Sequence, residues 1–177
     1  MRVIAGVYGG RGLVAPRGWG TRPTADRVRE ALFSILAPVH GARVLDLFAG
    51  SGALAIEALS RGASQATLVD SSAAAVAAIR HNLASLDLEA EVRRQMACPF
   101  LLGAQTAARQ YDLVFLDPPY RHASTLGREL SEALAPVLAP DARIVAESDR
   151  RAPLALELEL LDQRRYGDTL IHIHGAR

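Results

Sequence analysis

The hydrophobic positions after residue 42 alternate between two patterns along the chain. Short apolar runs predict strands over 43–48, 66–70, 91–94, 111–116 and 142–147, and helix-period segments predict helices over 53–60, 72–85, 100–109 and 125–138, the last only up to its Pro136. Two more β segments, 155–161 and 169–174, are joined by a predicted turn over 164–168. This order predicts an α/β fold with a mainly parallel sheet, helices on both faces and an antiparallel C-terminal hairpin at one edge.

The segment that precedes this alternation has a different composition. Residues 1–20 contain six glycines and two short β-like pieces, which predict a hairpin-like extension. A helix is predicted to start at 23–26 and to run to Leu36, and Pro38 closes it. We therefore predict a small N-terminal β extension over 1–20 and one domain over 21–177.

The net charge of +1 conceals an uneven distribution of charge. All 20 basic residues are arginines, and residues 1–30 carry six of them against Asp26 and Glu30, a local charge of +4. The rest of the chain holds 14 basic and 17 acidic residues, a charge of −3. A GC-rich genome would explain the missing lysines but not this distribution. A basic head on a mildly acidic body predicts contact with a polyanion such as a nucleic acid.

Composition sets further bounds on the class of protein. Half of the 177 residues are hydrophobic, which suits a domain with a sizeable core. The apolar runs are too short to span a bilayer, and the N-terminus lacks the apolar core of a signal peptide. The single Cys98 excludes an internal disulfide. These features predict a cytoplasmic protein without a membrane partner.

The first predicted strand leads into a glycine-rich loop, "DLFAGSGAL" at 46–54. Glycines let the backbone turn tightly and approach a ligand closely. Asp70 ends the next strand, 20 residues after Gly50, where a carboxylate can accept both hydroxyl protons of a ribose. The arrangement predicts an adenosine-containing cofactor, the alternative being a tight turn with an incidental acid. Asp46 disfavours a pyrophosphate but suits a sulfonium and an amino group, so we predict S-adenosylmethionine.

The motif "DPPY" at 117–120 follows the fourth predicted strand, at the same sheet edge as the glycine loop. The prolines restrict φ and remove N–H donors, which leaves the Asp117 carboxylate and the Pro118 carbonyl as acceptors for the two hydrogens of an exocyclic amine. Tyr120 offers a face on which a base can stack. We predict a clamp for a base that has left its stack, with no metal required, the alternative being a turn that ends the strand.

With these motifs the chain resembles the RsmD family, which methylates guanine N2 in 16S ribosomal RNA. The resemblance rests on "RVIAGVYGGRGL", "RPTADRVREALFSIL", "LDLFAGSGALAIEALSRGA", "DPPY" and "RYGDT", and it covers nearly the whole chain. It implies a seven-stranded methyltransferase sheet and a substrate in an assembled or partly assembled small subunit. It also implies the roles of the site residues: Asp46, Gly50 and Gly52 for the methionine part of the cofactor, Asp70 for the ribose, Asp117, Pro118 and Tyr120 for the acceptor base, and Arg22 and Arg27 for RNA phosphate or the cofactor carboxylate. We add Phe48 to the cofactor residues and Arg11 to the RNA contacts, and Arg121 as a phosphate contact because it follows the clamp.

One departure from the family pattern concerns the adenine of the cofactor. The family often has an acid after the third strand, and here "RRQMACPFLL" places Met96 near that position. A thioether cannot replace a carboxylate acceptor, so we expect adenine to rely on backbone groups of Met96 and Ala97 and to bind less tightly.

Three interpretations of the whole chain remain at this stage: an rRNA guanine-N2 methyltransferase, an amino-methyltransferase acting on DNA adenine or another RNA, and a silent binding module. The clamp does not separate guanine from adenine, since both carry an exocyclic amine. Arg27 and Arg29 have a structural alternative, which is pairing with helix acids such as Glu30 or Asp26. We expect a monomer, and no metal site, because His172 and His174 lack a third ligand.

Overall fold

The structure, a computed structural model, describes residues 1–17, 26–36, 38–118 and 123–176, with the backbone alone for 123–125. In this part of the chain the helices are α1 Asp26–Leu36, α2 Ala53–Ser60, α3 Ala73–Ser85, α4 Ala97–Thr106 and α5 Ala123–Leu134. The strands are β1 Arg43–Leu47, β2 Gln65–Asp70, β3 Glu91–Arg94, β4 Tyr111–Leu116, β5 Leu138–Asp149, β6 Glu159–Tyr166 and β7 Thr169–Gly175.

The described strands form one seven-stranded sheet in the order β3-β2-β1-β4-β5-β7-β6. The first five pair in parallel, and β7 pairs antiparallel with both β5 and β6. The predicted Rossmann-like α/β fold, with its mainly parallel sheet and antiparallel C-terminal hairpin, is confirmed. None of the helices in the described ranges is long and apolar enough to cross a membrane.

The two faces of the sheet carry separate apolar cores. On the face that we call the α2 face, Val44, Phe115 and Val145 pack with α1 and α2, and the rings of Phe33 and Phe115 lie 5.8 Å apart. The opposite face, the α4 face, buries residues such as Leu47 under α4 and α5. Because side chains alternate along a strand, the face of each strand-end residue follows from this division.

Strand register brings the candidate site residues to one edge. Leu47 of the central strand β1 is in register with Val69 of β2 and with Leu116 of β4. Asp70 and Asp117 follow these residues, so they lie at the carboxyl ends of the two parallel strands that flank β1. This end of the sheet is where α/β folds bind ligands.

The N-terminal extension packs against the domain. An isolated antiparallel bridge joins Arg2 to Gly12, and the Val3 N–H donates to the Arg11 carbonyl at 2.9 Å. Val3 and Leu13 are buried in the α2-face core. The bridge thus pairs two stretches of the first 17 residues, and Val3 and Leu13 from these stretches form part of the α2-face core.

Two helix boundaries differ from the predicted ones because of proline. α4 begins at Ala97 rather than at residue 100, since Pro99 falls in the first turn, where its missing N–H has no partner to lose. α5 ends at Leu134 and continues as a 3₁₀ turn, Ala135–Val137, because Pro136 cannot continue an α-helix.

The predicted strand over 155–161 is displaced in the structure. β6 runs over Glu159–Tyr166, and the apolar Leu156 and Leu158 pack against the α4-face core instead. β6 is an edge strand with mostly exposed residues, so it lacks the apolar pattern from which strands are predicted.

Candidate functional site

The glycine loop reverses the chain between β1 and α2 through three alternate residues in the left-handed region. Phe48 has φ of 65°, an uncommon value for a side chain of its size, and Gly50 and Gly52 have φ of 59° and 78°. A Cβ atom on Gly52 would lie 2.8 Å from Cδ2 of the buried Leu68, and its positive φ would strain any other residue, so position 52 favours glycine. The turn brings backbone groups against β2, where the Ala49 N–H donates to the Val69 carbonyl at 3.0 Å.

Asp70 ends β2 with both carboxylate oxygens held by backbone donors. The Gly50 N–H donates to Oδ2 at 2.9 Å and the Ser72 N–H donates to Oδ1 at 2.8 Å. These bonds link the glycine loop to the start of α3 and fix the plane of the carboxylate. An ionised carboxylate has about four acceptor positions, so two remain for hydroxyl donors.

Asp46 is a buried acid on the α2 face of β1. Its side chain is 2% exposed, and its Oδ2 accepts the Ala55 N–H at 3.2 Å. Burial raises the pKa of Asp46 to about 7, the Ala55 hydrogen bond opposes that rise, and the charge of Asp70 adds to it. A cation placed next to Asp46 would stabilise its ionised form.

The acceptor motif begins where β4 ends. Asp117 is partly buried and Pro118 is buried. Burial raises the pKa of Asp117 well above its ordinary value, and the charges of Glu147 and Asp46 raise it further. Tyr120 and Arg121 lie outside the described residues, so the predicted stacking face and phosphate contact stay predictions.

The region predicted to face adenine lies beside Asp70. The Gln95 N–H donates to the Asp70 carbonyl at 3.1 Å, which places the next residue, Met96, close to the ribose position. Met96 is the N-cap of α4 without a side-chain cap, and it is 68% exposed, whereas Ala97 is buried. The backbone at Met96 is therefore near Asp70, and the thioether of Met96 offers no carboxylate acceptor at this helix end.

These residues fit S-adenosylmethionine. The fixed acceptors of Asp70 suit ribose hydroxyls, and the positive φ values of Gly50 and Gly52 allow backbone to approach a ligand. The buried acid Asp46 suits a cationic group, because burial without a partner disfavours its charge. The same acid would repel a pyrophosphate, as the sequence pattern predicts.

One groove on the described surface lies away from this edge. Its volume is about 840 Å³, and it is lined by the start of β2, the end of α3 and β3, including Gln65, Arg80 and Glu91. It opens at the amino ends of the strands, where parallel α/β sheets do not bind cofactors. The strand-end acids, rather than this groove, mark the candidate site.

Comparison with known proteins places the chain among methyltransferase relatives over its full length. The family model described as "Conserved hypothetical protein 95" matches residues 1–175. YlbH of Bacillus subtilis (strain 168) is 39% identical over 183 residues, covering 100% of both chains. Ribosomal RNA small subunit methyltransferase D of Escherichia coli (strain K12) is 47% identical over 123 residues, covering 68% of this chain and 61% of the relative. The solved structure of yhhF from Escherichia coli has a TM-score of 0.84 at 38% identity, covering 100% of this chain and 98% of that chain.

The chain belongs to the RsmD methyltransferase family. The resemblance drawn from the motifs is thereby confirmed. The predicted RNA contacts of this RsmD-family chain are placed only in part. Arg11 and Arg27 are exposed, on the extension and on α1 respectively, while Arg22 lies outside the described residues. Arg29 pairs with Asp26 at 2.7 Å, as the structural alternative for the basic head supposes.

Two residues beside the candidate site of this RsmD-family chain were not predicted. Glu147 lies near the end of β5, and its signal is the one that identified Asp70: an acid after an apolar parallel strand. Asn82 of α3 donates to the Ser51 carbonyl in the glycine loop at 2.9 Å. A lone asparagine in a helix carries no such signal, because its partner is a backbone group 31 residues away.

Proposed function

We propose that the protein transfers a methyl group from S-adenosylmethionine to the exocyclic N2 amine of a guanine in 16S ribosomal RNA of the small ribosomal subunit. One observation carries the proposal: β1 and β4 are adjacent, so the acceptor pair Asp117 and Pro118 ends its strand beside the glycine loop and Asp46. Membership of the RsmD family, and a relative named ribosomal RNA small subunit methyltransferase D, support RNA as the substrate.

The roles of the chain's own residues follow from their positions. Asp70 holds the ribose, and Asp46 faces the cationic methionine part of the cofactor, which supplies a methyl group on a sulfonium. Asp117 and the Pro118 carbonyl accept the two amine hydrogens and so aim the nitrogen lone pair at the methyl carbon. Methyl transfer would put positive charge on the nitrogen, and the Asp117 carboxylate would stabilise that charge and accept the proton that the nitrogen loses, while the cofactor would leave as its neutral thioether.

Asp117 suits this role because its carboxyl lies among other acids. Burial and the charges of Glu147 and Asp46 raise its pKa, so the site binds positive charge or a proton readily. Tyr120 is proposed to stack on the base, and Arg11, Arg22, Arg27 and Arg121 to contact RNA phosphates. The substrate is proposed to be an assembled or partly assembled subunit, and the enzyme a cytoplasmic monomer.

Methyl transfer from labelled cofactor tests the proposal. The acceptors are small ribosomal subunits, naked 16S RNA, duplex DNA and free guanosine. We expect the strongest labelling on subunits or 16S RNA, with N2-methylguanine as the product after nuclease digestion and mass spectrometry. Strongest labelling of DNA, or N6-methyladenine as the product, would instead support the alternative amino-methyltransferase.

The Asp117→Asn variant tests the assignment of the clamp. It should bind the cofactor as the parent does but lose about a hundredfold or more in kcat, since electrostatic contacts made in the transition state contribute on that order. Asp87→Asn is the matched control, because Asp87 is exposed in the turn after α3 and far from the acceptor edge. Full activity of Asp117→Asn would contradict the assignment.

A further inference from the structure

Glu147 is a second acid beside the acceptor motif. It is 6% exposed and follows Ala146, which is in register with Leu116 of β4. Asp117 follows Leu116, so one further step of the same register places Asp117 and Glu147 side by side. Neighbouring strands lie about 4.8 Å apart, which is close enough for the two carboxyl groups to contact one planar ligand.

The two acids also share a face of the sheet. Leu116 and Ala146 pack in the α4-face core, and the residues before them, Phe115 and Val145, pack in the α2-face core. Since side chains alternate, Asp117 and Glu147 fall on the α2 face. Their proximity has an electrostatic consequence, because the charge of Glu147 raises the pKa of Asp117.

We propose that Glu147 selects guanine, its carboxylate accepting the N1–H while Asp117 and the Pro118 carbonyl hold the N2 amine. The inference deepens the proposed function and rests on it. Guanine presents N1–H and the N2 amine side by side, so it offers neighbouring donors to neighbouring acceptors. Adenine presents an unprotonated N1 beside its amine, and that lone pair would face the Glu147 carboxylate.

A hydrogen bond from N1–H to Glu147 should discriminate strongly against a base that lacks this donor. A site built around buried hydrogen-bonding groups rejects an analogue that leaves one of them unpaired, because the desolvated group recovers no partner. Glu147 also interacts within the fold, and an ionised carboxylate has about four acceptor positions, so a further hydrogen bond to the base is compatible with that interaction.

The experiment replaces the target guanine by 2-aminopurine. The guanosine labelled by the parent enzyme is mapped by mass spectrometry, and 16S RNA carrying 2-aminopurine at that position is made by ligation and assembled into subunits. 2-Aminopurine keeps the amine at C2 but has an unprotonated N1. We expect the parent kcat/KM to fall by about tenfold or more. The Glu147→Ala variant should be slower on guanine and should bring the two substrates to within about threefold of each other, since the contact that separates them is gone.

The ratio of kcat/KM on guanine to kcat/KM on 2-aminopurine distinguishes base selection by Glu147 from a merely structural role. A merely structural Glu147 would lower kcat/KM for both substrates alike and leave the ratio unchanged. Glu147→Gln keeps an acceptor oxygen and should retain part of the selectivity, and Glu159→Ala, at an exposed acid of β6, should behave as the parent. Equal use of both substrates by the parent, or a parent-like ratio in Glu147→Ala, would overturn the inference while leaving guanine methylation standing. Absence of labelling on every RNA would overturn the proposed function itself.

Discussion

Asn82 of α3 holds the backbone of Val14 at both its donor and its acceptor. The Val14 N–H donates to Oδ1 of Asn82 at 2.9 Å, and Nδ2 of Asn82 donates to the Val14 carbonyl at 3.0 Å. The second hydrogen of the same amide goes to the Ser51 carbonyl at 2.9 Å. One side chain thus connects Val14 of the N-terminal extension to the glycine loop, and both the oxygen and the nitrogen of its amide are used.

Replacement of Asn82 should therefore affect both segments. In Asn82→Ala three backbone groups lose their partner, and we expect a loss of about 1–3 kcal/mol in the free energy of unfolding. Cofactor affinity should fall severalfold, and the first 17 residues should become sensitive to protease.

Asn82→Asp should be no better, since a carboxylate cannot donate to the two carbonyls. Arg80→Ala, on the exposed side of α3, is the control. Parent-like cofactor affinity in Asn82→Ala would show that the loop is held without this contact.

Glu57 of α2 is another attachment of the extension. It is fully buried and accepts the Ile4 N–H at 2.6 Å, the Ala5 N–H at 3.0 Å and Nε of Arg61 at 2.7 Å. Glu57→Ala removes the carboxylate that accepts these three bonds and leaves three partly buried donors unpaired, so we expect about 1–3 kcal/mol of destabilisation in urea unfolding. Glu57→Gln should lie between, because a single amide oxygen replaces two carboxylate oxygens. Glu132→Gln at an exposed position of α5 should change little, and a loss below about 1 kcal/mol in Glu57→Ala would argue against the attachment.

The raised pKa of Asp46 predicts how the stability of the cofactor-free protein depends on pH. Its folded pKa is about 7 and its ordinary value is 3.8, so between these values the folded state binds more protons than the unfolded state. Stability from this group is therefore fully present below about pH 4 and is lost as pH rises toward 7. Urea unfolding of the parent and of Asp46→Asn at several pH values isolates this contribution from that of the other titrating groups.

The informative quantity is the difference in the free energy of unfolding between Asp46→Asn and the parent. Asp46→Asn keeps an oxygen for the Ala55 N–H and has no charge, so its advantage over the parent should grow from pH 5 to pH 8. A difference that stays constant over this range would mean that Asp46 titrates normally. Binding of the cationic cofactor to the parent should tighten over the same range, as Asp46 becomes ionised, and this tightening should be absent in the variant.

Sequence patterns predicted the strand ends and their acids because the signal is local. An apolar run that stops at Asp70 or Asp117 marks both the strand and the edge at which its last residue lies. Glu147 carries the same signal, but only strand register shows that β5 is the neighbour of β4 at that point. The pairing of acids across strands is a property of the fold and not of either segment.

The attachment of the N-terminal extension was beyond prediction for a different reason. The extension is held through its backbone groups, which every residue type provides. Nothing in the sequence therefore marks Ile4, Ala5 or Val14 as hydrogen-bonded. The helix residue Glu57 stands out as a lone acid in "ALAIEALS", yet its backbone partners Ile4 and Ala5 lie more than 50 residues away. Such contacts form only when distant segments are brought together by the core.

Met96→Asp tests whether the missing acid weakens adenine recognition. Met96 is the N-cap of α4 beside the backbone of Asp70, so a carboxylate there can accept from the adenine amine. We expect the affinity for the cofactor, or for adenosine, to rise by about tenfold, the value of one charge-assisted hydrogen bond.

The acid is also a better N-cap, although Pro99 at the third helical position has no N–H to offer it, so the gain in stability should stay below about 1 kcal/mol. Met96→Ser separates the two effects, because serine caps the helix without a carboxylate. Calorimetric titration of both variants measures affinity, thermal unfolding measures the cap, and equal affinity of Met96→Asp and the parent would show that the backbone at Met96 and Ala97 already recognises adenine fully.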